Sequence, residues 1–307
     1  MCARFDPEQN LIKEISNNSH TTIDDIRYGI GQRVLQNLRL FRSCGNVGDG
    51  TMNPECLEIY EHIKSINSKV KLSINTNGGA RTPEFYRSLA GLGVLVTFSI
   101  DGLQDTNHLY RRNVKWDKVM ANAEAFIDAG GKAEWDFLIF KHNQHQISEA
   151  EDLSKKMGFL NFQRKTTTRW DDFDSEGNWV QRDKILIDGY VLEKPPNDIK
   201  ENYANKKDQK HKEVQVKQIE CNSYCKGNVE IFLHANGNVS PCCFMGDLSM
   251  HESKNIIKEY KSVNIRHTPL EGILGGDYFK EIWKGIQNKP QEYKMVTCEN
   301  VCGVEHE

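Results

Sequence analysis

The chain contains 307 residues, of which 38% are hydrophobic and 27% are charged, and its formal net charge is −3. This composition is typical of a soluble globular protein, and the small net charge gives no strong signal for nucleic-acid binding. No apolar run reaches the roughly 20 residues of a membrane span, and no signal peptide is found. We therefore expect a cytoplasmic protein with no membrane partner.

From residue 38 onward the sequence alternates between apolar strands and amphipathic helices. The predicted strands are 38–44, 70–76, 94–100, 133–140 and 159–166, and the predicted helices are 53–67, 82–93, 116–131 and about 148–157. Asn53 and Thr82 are expected as helix caps, each followed by a proline in the first turn, and Gly91 or Gly93 is expected to end the second helix. Regular alternation predicts a parallel sheet with helices outside it, either an open α/β sheet or a barrel.

The third predicted helix is amphipathic. Its expected apolar face consists of Trp116, Val119, Met120, Ala123 and Ile127. Side chains at this spacing fall on one side of a helix and are expected to pack against the sheet.

Four of the predicted strands end in short polar segments. These segments read SCGNVGDG, NTNGG, SIDG and KHNQH in chain order. Ligand sites in parallel α/β folds lie at the carboxyl ends of the strands, so we expect the four segments to converge on one cavity.

Residues 170–220 differ in composition, because they are polar and become rich in lysine. We interpret them as a solvated linker or insertion, and the alternative is a lid or docking surface for a substrate. The stretches 229–234 and 239–244 then predict a β-hairpin, and short helices are expected around 253–261 and 277–287.

The nine cysteines are unevenly spread along the chain. Three occur early, at Cys2, Cys44 and Cys56, and the other six occur late, at Cys221, Cys225, Cys242, Cys243, Cys298 and Cys302. Disulfides are rare in a reducing compartment, so this spacing indicates a metal site, and both Fe–S clusters and structural zinc accept four thiolates. The alternative for the adjacent pair at 242 and 243 is that both are small core residues.

The late cysteines carry a family resemblance. Cys221, then Gly237-x4-Cys242, then Cys298-x3-Cys302 resembles the SPASM or twitch extension of radical S-adenosylmethionine (radical SAM) enzymes. That extension holds an auxiliary 4Fe–4S cluster, and the resemblance implies the ligands Cys221, Cys242, Cys298 and Cys302, with Cys225 as the alternative to Cys221. Cys243 is then expected to point to the opposite face of its strand.

The segments after the strands resemble the same family. GNVGD is similar to a motif that contacts the methionine amino group of S-adenosylmethionine, with Gly50 in place of the usual proline, and SIDG lies where polar contacts reach the ribose and carboxylate. Tyr110–Arg111 and Asn122 also recur in related proteins. The predicted cofactor-binding residues are Gly45, Asn46, Val47, Gly48, Asp49, Asn75, Asn77, Ser99, Asp101 and His142.

The first residues, MCARFD, resemble the end of the family's CxxxCxxC loop, which holds the radical-generating 4Fe–4S cluster. The family barrel has six strands and five are predicted here, so we expect Cys2 to be the third cysteine of an interrupted motif and this chain to be inactive as it stands. The expected fold is α/β: a partial (β/α)6 radical SAM barrel lacking its first strand over 1–169, a polar linker or insertion over 170–220, and a SPASM/twitch domain containing a β-hairpin over 221–307.

The resemblance implies a radical SAM enzyme that reductively cleaves S-adenosylmethionine to a 5′-deoxyadenosyl radical, which takes hydrogen from a peptide or small-molecule substrate. An electron donor such as flavodoxin or ferredoxin is the implied partner. Two alternatives remain open. One is a degenerate barrel that only binds peptide or nucleotide, and the other is a zinc-binding interaction module.

Overall fold

A computed structural model of the protein describes residues 20–45, 48–167, 170–173, 179–187, 190–196, 218–219, 229–243, 245–246, 263–288 and 302–304. Their contacts separate them into two compact units. The described residues of Leu38–Asn205 form the first unit, and those of Ile12–Asn37 and Lys206–Glu307 form the second. No helix in these ranges is long and apolar enough to cross a membrane.

Helices and strands follow one another along both units. The helices are α1 (Ile23–Gly29), α2 (Gln32–Asn37), α3 (Cys56–Ile66), α4 (Pro83–Gly91), α5 (Asn107–Tyr110), α6 (Trp116–Asp128), α7 (Ile147–Met157), α8 (Leu270–Gly275) and α9 (Asp277–Asn288). The strands are β1 (Leu40–Ser43), β2 (Lys71–Thr76), β3 (Leu95–Ser99), β4 (Lys132–Leu138), β5 (Asn161–Lys165), β6 (Asp171–Phe173), β7 (Trp179–Gln181), β8 (Lys184–Ile187), β9 (Tyr190–Glu193), β10 (Gln218–Ile219), β11 (Phe232–Leu233), β12 (Val239–Ser240) and β13 (Gly303–Val304).

The first unit is built on a five-stranded sheet in the order β1-β2-β3-β4-β5, and every neighbouring pair is parallel. Helices connect the consecutive strands. The predicted α/β class and the five predicted strands are therefore confirmed. β4 ends two residues earlier than expected, because the N–H of Phe140 donates to the Asn143 side chain and closes a turn.

One face of the sheet is apolar and packs against the helices. Tyr86 of α4 stacks on Phe98 of β3 with ring centroids 5.6 Å apart, and Phe126 of α6 meets the same ring at 6.1 Å. Trp135 is the register partner of Phe98 and continues this face onto β4. All four rings are fully buried, so this layer is the main hydrophobic core of the unit.

The other face of the sheet is polar. Side chains alternate along a strand, so the residues between the core positions point away from the helices. We call this surface the polar face, and define it by Asn75, Thr97, Ser99, Glu134, Asp136, Gln163 and Lys165. Thr97 donates to Glu134 at 3.3 Å, and Lys165 lies 2.5 Å from Asp136. In a packed barrel core, this face would carry branched apolar side chains. The polar side chains present here are instead suited to binding a ligand.

Two helix starts differ in how well the sequence predicted them. α4 begins as expected, with Thr82 at the N-cap and Pro83 in the first turn. The prediction for the preceding helix is wrong, because α3 has Glu55 at its N-cap and begins at Cys56. The Asn53 side chain accepts from the Glu55 N–H at 2.9 Å, which forms a turn ahead of the helix.

The predicted apolar face of α6 is only partly correct. Val119 and Ala123 are fully buried as expected, but Trp116, Met120 and Ile127 are only partly buried. The buried side is instead completed by Asn122, Ala125 and Phe126. The face is rotated because Phe126 packs on Phe98 and Asn122 hydrogen-bonds to a loop of the sheet.

The described part of 170–220, which was interpreted as a linker or insertion, contains strands that the sequence analysis did not predict. β6 pairs with β7, and β8 pairs with β9, as two antiparallel hairpins. Trp170, Ile185 and Leu192 form a buried cluster with Phe140, the second residue after β4. The apolar strands β8 and β9 therefore pack against a residue that follows the main sheet.

The second unit includes helices that the sequence analysis did not predict. α1 begins with a capping box, in which Thr22 and Asp25 exchange hydrogen bonds of 2.9 and 3.1 Å. Arg266 lies 2.9 Å from the Asp25 carboxylate. Burial raises the pKa of Asp25, but the hydrogen bonds from Arg266 and Thr22 outweigh that effect and hold it below its usual value.

The predicted β-hairpin is present in the second unit as the antiparallel pair β11–β12. Gly237 in its turn has φ +89°, and a Cβ there would lie 2.6 Å from the Asn264 side chain. Only glycine fits this turn without strain. The helix predicted at 277–287 is α9, and the one predicted at 253–261 lies outside the described residues.

We predict that Trp170→Ala selectively loosens the β8–β9 hairpin. Removing a buried tryptophan costs about 3–5 kcal/mol, so amide exchange in β8 and β9 should accelerate roughly 100-fold or more while β2 and β3 stay protected. Leu186→Ala in the same hairpin is the control, because Leu186 is 61% exposed. Equal effects of the two substitutions, measured by hydrogen exchange, would show that the cluster does not hold the hairpin.

Candidate functional site

The four polar segments lie along one edge of the sheet, because they follow neighbouring parallel strands. The Asp49 carboxylate connects the first two. One oxygen accepts from the Thr51 N–H and hydroxyl at 3.0 and 2.7 Å, and the other accepts from the Thr76 hydroxyl and the Asn77 N–H at 2.8 and 2.9 Å. Four donors occupy this carboxylate, so its role in the structure is to join the two loops.

Two further residues hold the backbone of this region, Arg81 at the segment after the first strand and Asn122 at the NTNGG loop. Arg81 donates to the carbonyls of Thr51 and Asn53, both at 2.6 Å, although its φ of +62° is unfavourable for a side chain. The Asn122 amide donates to the Gly78 carbonyl at 2.8 Å. These bonds fix the loop backbone before any ligand arrives.

Asp101 of the SIDG segment is buried and bridges three elements. Its carboxylate accepts from Arg111 at 2.6 Å and from the Leu138 N–H at 2.7 Å. Burial raises the pKa of Asp101, and the two donors oppose that shift by stabilising the charged form. The Asn143 amide donates to the Asp101 carbonyl at 2.9 Å and so joins SIDG to KHNQH.

His142 is stacked on Phe140, with ring centroids 5.2 Å apart, and its Nε2 is buried with no hydrogen-bond partner in the described part of the chain. Burial lowers the pKa of His142 to about 4, and the neighbouring His145 and His108 add to the shift. The imidazole is therefore neutral at pH 7, with one ring nitrogen available to a ligand.

The predicted cofactor-binding residues occupy several kinds of position. Asn75 and Ser99 belong to the polar face, where ligand contact is open to them. Asn77 accepts from the Gly79 N–H at 2.8 Å and so shapes its own loop, as Asp49 and Asp101 shape theirs. Asn46 and Val47 lie outside the described residues. A Cβ on Gly48 would meet nothing within 4 Å, so the loop backbone is accessible there.

Sequence reasoning missed Arg81 and Asn143 as residues of this site. Asn143 was inside the quoted KHNQH segment, and its full burial with three hydrogen bonds could not be read from its position. Arg81 lies just before α4, where the sequence pattern indicated only the N-cap of the helix. Arg111 and Asn122 had been noted through the family resemblance alone.

In the second unit, Cys242 has the surroundings of a metal ligand. The Met245 N–H lies 3.5 Å from the Cys242 Sγ as a hydrogen-bond donor, and such bonds stabilise cluster-bound thiolates. Burial raises the pKa of Tyr278 to about 12, and the neighbouring Cys242 adds to the shift, which places α9 beside this cysteine.

The prediction that Cys243 points to the opposite face of its strand is wrong. β12 ends at Ser240, because Pro241 has no N–H to continue the ladder, and both cysteines lie in the bend that follows. Cys243 is exposed and Cys242 is partly buried.

The other predicted ligands are only partly described. Cys302 is partly buried, and Gly303 beside it pairs with Ile219, two residues before Cys221 in sequence. Cys2, Cys221, Cys225 and Cys298 lie outside the described residues. Within the described ranges, no group of three or more metal-binding side chains is assembled.

Two family models match the chain. Residues 17–153 match the radical SAM superfamily, and residues 221–303 match the SPASM iron–sulfur cluster-binding domain. The chain therefore combines a radical SAM superfamily region with a SPASM region. Members of the superfamily use S-adenosylmethionine and 4Fe–4S clusters, and the radical SAM match covers the polar segments described above while the SPASM match covers the late cysteines.

Solved structures show the same fold. Streptococcus suis SuiB is 14% identical, with a TM-score of 0.55 over 88% of this chain and 62% of SuiB. SuiB bound to the precursor peptide SuiA is 12% identical, with a TM-score of 0.53 over 87% of this chain and 60% of that chain. This chain therefore corresponds to less than two thirds of SuiB. No curated protein sequence matches it.

The described residues fit S-adenosylmethionine, and Cys242 fits one ligand position of a 4Fe–4S cluster. Gly48 leaves backbone open for the amino group of S-adenosylmethionine, and Asn75 and Ser99 offer side chains on the adjoining face. Cys242 is a partly buried thiol with an N–H donor aimed at its sulfur. The protein's own contribution is to hold these groups rigidly, because Asp49, Arg81 and Asn143 bind the loops from behind.

We predict that Asp49→Asn loosens the loops after β1 and β2. The NH2 of the new amide would replace a carboxylate oxygen that accepts two hydrogen bonds, and it would face their donors instead. Stability should fall by about 1–3 kcal/mol, and binding of S-adenosylmethionine should weaken. Denaturant unfolding and isothermal titration measure the two effects. Asp128→Asn, an exposed change at the end of α6, is the control. Equal behaviour of the two variants would contradict this role of Asp49.

We predict that His142 makes the protein less stable as pH falls. Its pKa is about 4 when folded and 6.5 when free, so the unfolded chain binds more protons between these values. The contribution of neutral His142 to the free energy of unfolding is complete above about pH 6.5 and is lost as the pH falls towards 4. His142→Gln should reduce the drop in Tm between pH 7 and pH 5, and the exposed control His267→Gln should not. An unchanged drop in His142→Gln would refute the assignment.

Proposed function

We propose that this protein is a radical SAM enzyme that cleaves S-adenosylmethionine reductively and uses the 5′-deoxyadenosyl radical to abstract hydrogen from a substrate. The observation that carries the proposal is that hydrogen bonds hold together the loops at one edge of the sheet, beside the polar face. These loops lie within the residues that match the family. When bound, the cofactor and its cluster supply the radical chemistry. The chain supplies position, exclusion of water and a fixed electrostatic environment.

Asn75, Ser99 and the open backbone at Gly48 are the residues that we propose to contact S-adenosylmethionine. His142 is proposed as a neutral partner at the rim. Asp49, Asn77 and Asp101 then act by holding the loops rather than through direct contact, since their oxygens are already bound by protein donors. A one-electron donor such as flavodoxin or ferredoxin is the proposed partner for reduction.

A peptide is the proposed substrate class. Fold similarity extends to SuiB in its complex with a precursor peptide, over 87% of this chain. An extended peptide requires a surface with donors and acceptors at regular intervals, and the polar face offers such groups on neighbouring strands.

The auxiliary 4Fe–4S cluster is proposed to bind Cys221 or Cys225 together with Cys242, Cys298 and Cys302. The pairing of Ile219 with Gly303 supports this set, because it brings the chain just before Cys221 alongside the residue after Cys302. The N–H···S bond at Cys242 supports a thiolate there.

For the cluster, we predict that anaerobic reconstitution with iron and sulfide gives a brown protein. Cys242→Ala should lower the iron and acid-labile sulfide at the auxiliary site by more than half. Cys243→Ala is the matched control, because this adjacent thiol is exposed and is not a proposed ligand. A colourless protein that carries zinc instead would eliminate the auxiliary cluster and favour an interaction module.

For the reaction, the decisive measurement is release of 5′-deoxyadenosine from S-adenosylmethionine under strong reductant. We expect release from a protein in which the cysteine motif ending at Cys2 is complete, and at least a 100-fold loss on Cys2→Ala. Cys44→Ala serves as the control, since this early cysteine is not a proposed ligand. No release from the complete-motif protein would favour a barrel that only binds its ligand.

A further inference from the structure

Two acceptor oxygens on the polar face have no hydrogen-bond partner among the residues that the structure describes. The Oδ1 of Asp136 and the Oε1 of Gln163 are both shielded from solvent, and no donor in the described ranges reaches either oxygen. Asp136 as a whole is only 8% exposed. A buried acceptor without a donor carries a free-energy penalty comparable to a lost hydrogen bond, so a pair of them is unusual in a native structure.

The two oxygens belong to neighbouring positions. Asp136 of β4 and Gln163 of β5 are register partners on the same face. Parallel strands lie about 4.8 Å apart, so a ligand group of a few atoms can reach both. Ser99 of β3 is the register partner of Asp136 on its other side, which sets the pair one strand away from a proposed cofactor contact.

The buried Gln146 side chain near this edge provides a contrast, because both its oxygen and its NH2 have hydrogen-bond partners. The Oε1 of Gln146 accepts from the Leu103 N–H at 3.0 Å and from the Thr106 hydroxyl, and its NH2 donates to Asp105 at 2.6 Å. The fold therefore satisfies a buried glutamine amide where the amide serves structure. The Gln163 oxygen is not satisfied in this way.

Charge restricts what can bind between Asp136 and Gln163. Lys165 lies 2.5 Å from the second oxygen of Asp136, so it balances the carboxylate and would repel a second cation. An anion would be repelled by the Asp136 carboxylate, and it has no donor to offer to the two acceptor oxygens. The group that fits is neutral and presents N–H or O–H donors.

We propose that Asp136 and Gln163 form a substrate subsite that binds a neutral donor group, such as the main-chain N–H or carboxamide of a peptide. The subsite rests on the proposed function, in which the polar face receives the substrate beside the cofactor. It identifies the residues that orient that substrate, through two acceptors held by adjacent strands. A ribose hydroxyl pair of the cofactor has the same donor chemistry, and the experiment separates the two sources.

The first test measures stability without any ligand. Gln163→Met removes an oxygen that has no partner, so the Tm of the ligand-free chain should stay the same or rise. Gln146→Met is the matched control, and its Tm should fall by roughly 3–10 °C because three bonds are lost. A fall in Gln163→Met as large as that of the control would show that the oxygen serves the fold, and would overturn the subsite.

The second test measures binding of four probes by saturation-transfer NMR: N-acetylglycinamide, glycinamide, N-acetylglycine and 5′-deoxyadenosine. The neutral amide should bind better than the cation or the anion. Its signal should fall at least fivefold in Gln163→Met and persist in Gln163→Glu, which keeps an acceptor oxygen. Absence of amide binding, or an amide signal unaffected by Gln163→Met, would overturn the proposal. Loss of only the 5′-deoxyadenosine signal would assign the pair to the cofactor and would also overturn it.

Neither test depends on cofactor cleavage. A protein that binds the neutral amide through Gln163 but releases no 5′-deoxyadenosine keeps the subsite and loses the proposed reaction. A protein that cleaves the cofactor but does not bind the amide keeps the reaction and loses the subsite. The two failures are therefore distinguishable.

Discussion

The two-residue period of a β-strand is the constraint on which this structure depends. Along β3 and β4 it sends Phe98 and Trp135 into the helical layer, and it sends Ser99 and Asp136 to the opposite side. Burial of the aromatic side fixes the register, because a slip of one residue would exchange the two faces. The polar face is thus held in position by the apolar one, and its chemistry can vary without loss of the fold.

The loops at the strand ends are kept in place in a different way. Their own backbone forms few regular bonds, and buried side chains of neighbouring segments complete them. Asp49, Asn122 and Asn143 each bind main-chain groups of a loop that follows another strand. A site built in this way is organised before its ligand binds, so less ordering is required on binding.

The sequence was informative where a local pattern decides the structure. The five strands, the start of α4 and the β11–β12 hairpin all follow from short-range signals. The start of α3 was misplaced, because an asparagine before a proline forms a turn as readily as it caps a helix. The β8–β9 hairpin was missed, because its core is completed by Phe140, a residue distant in sequence.

The site was predicted to a similar extent. Asn75 and Ser99 were proposed as site residues from their position at strand ends, whereas Asp136 and Gln163 lie within segments that read as apolar strands. Whether an oxygen has a partner depends on the register between strands, and no single segment contains that information. The late cysteines were assigned through family resemblance. The N–H donor at Cys242 depends on the turn that brings Met245 close to it, and the sequence alone did not predict that turn.

Three consecutive residues at the end of α5 connect separate parts of the first unit. Tyr110 packs on Phe140 with ring centroids 4.7 Å apart, Arg111 pairs with Asp101, and the Arg112 guanidinium lies 3.6 Å from the centre of the Tyr190 ring in β9. The hairpin and the SIDG loop therefore share one short stretch of backbone. Substitutions in the hairpin and at Asp101 cannot be energetically independent, so the effect of either depends on the residue present at the other.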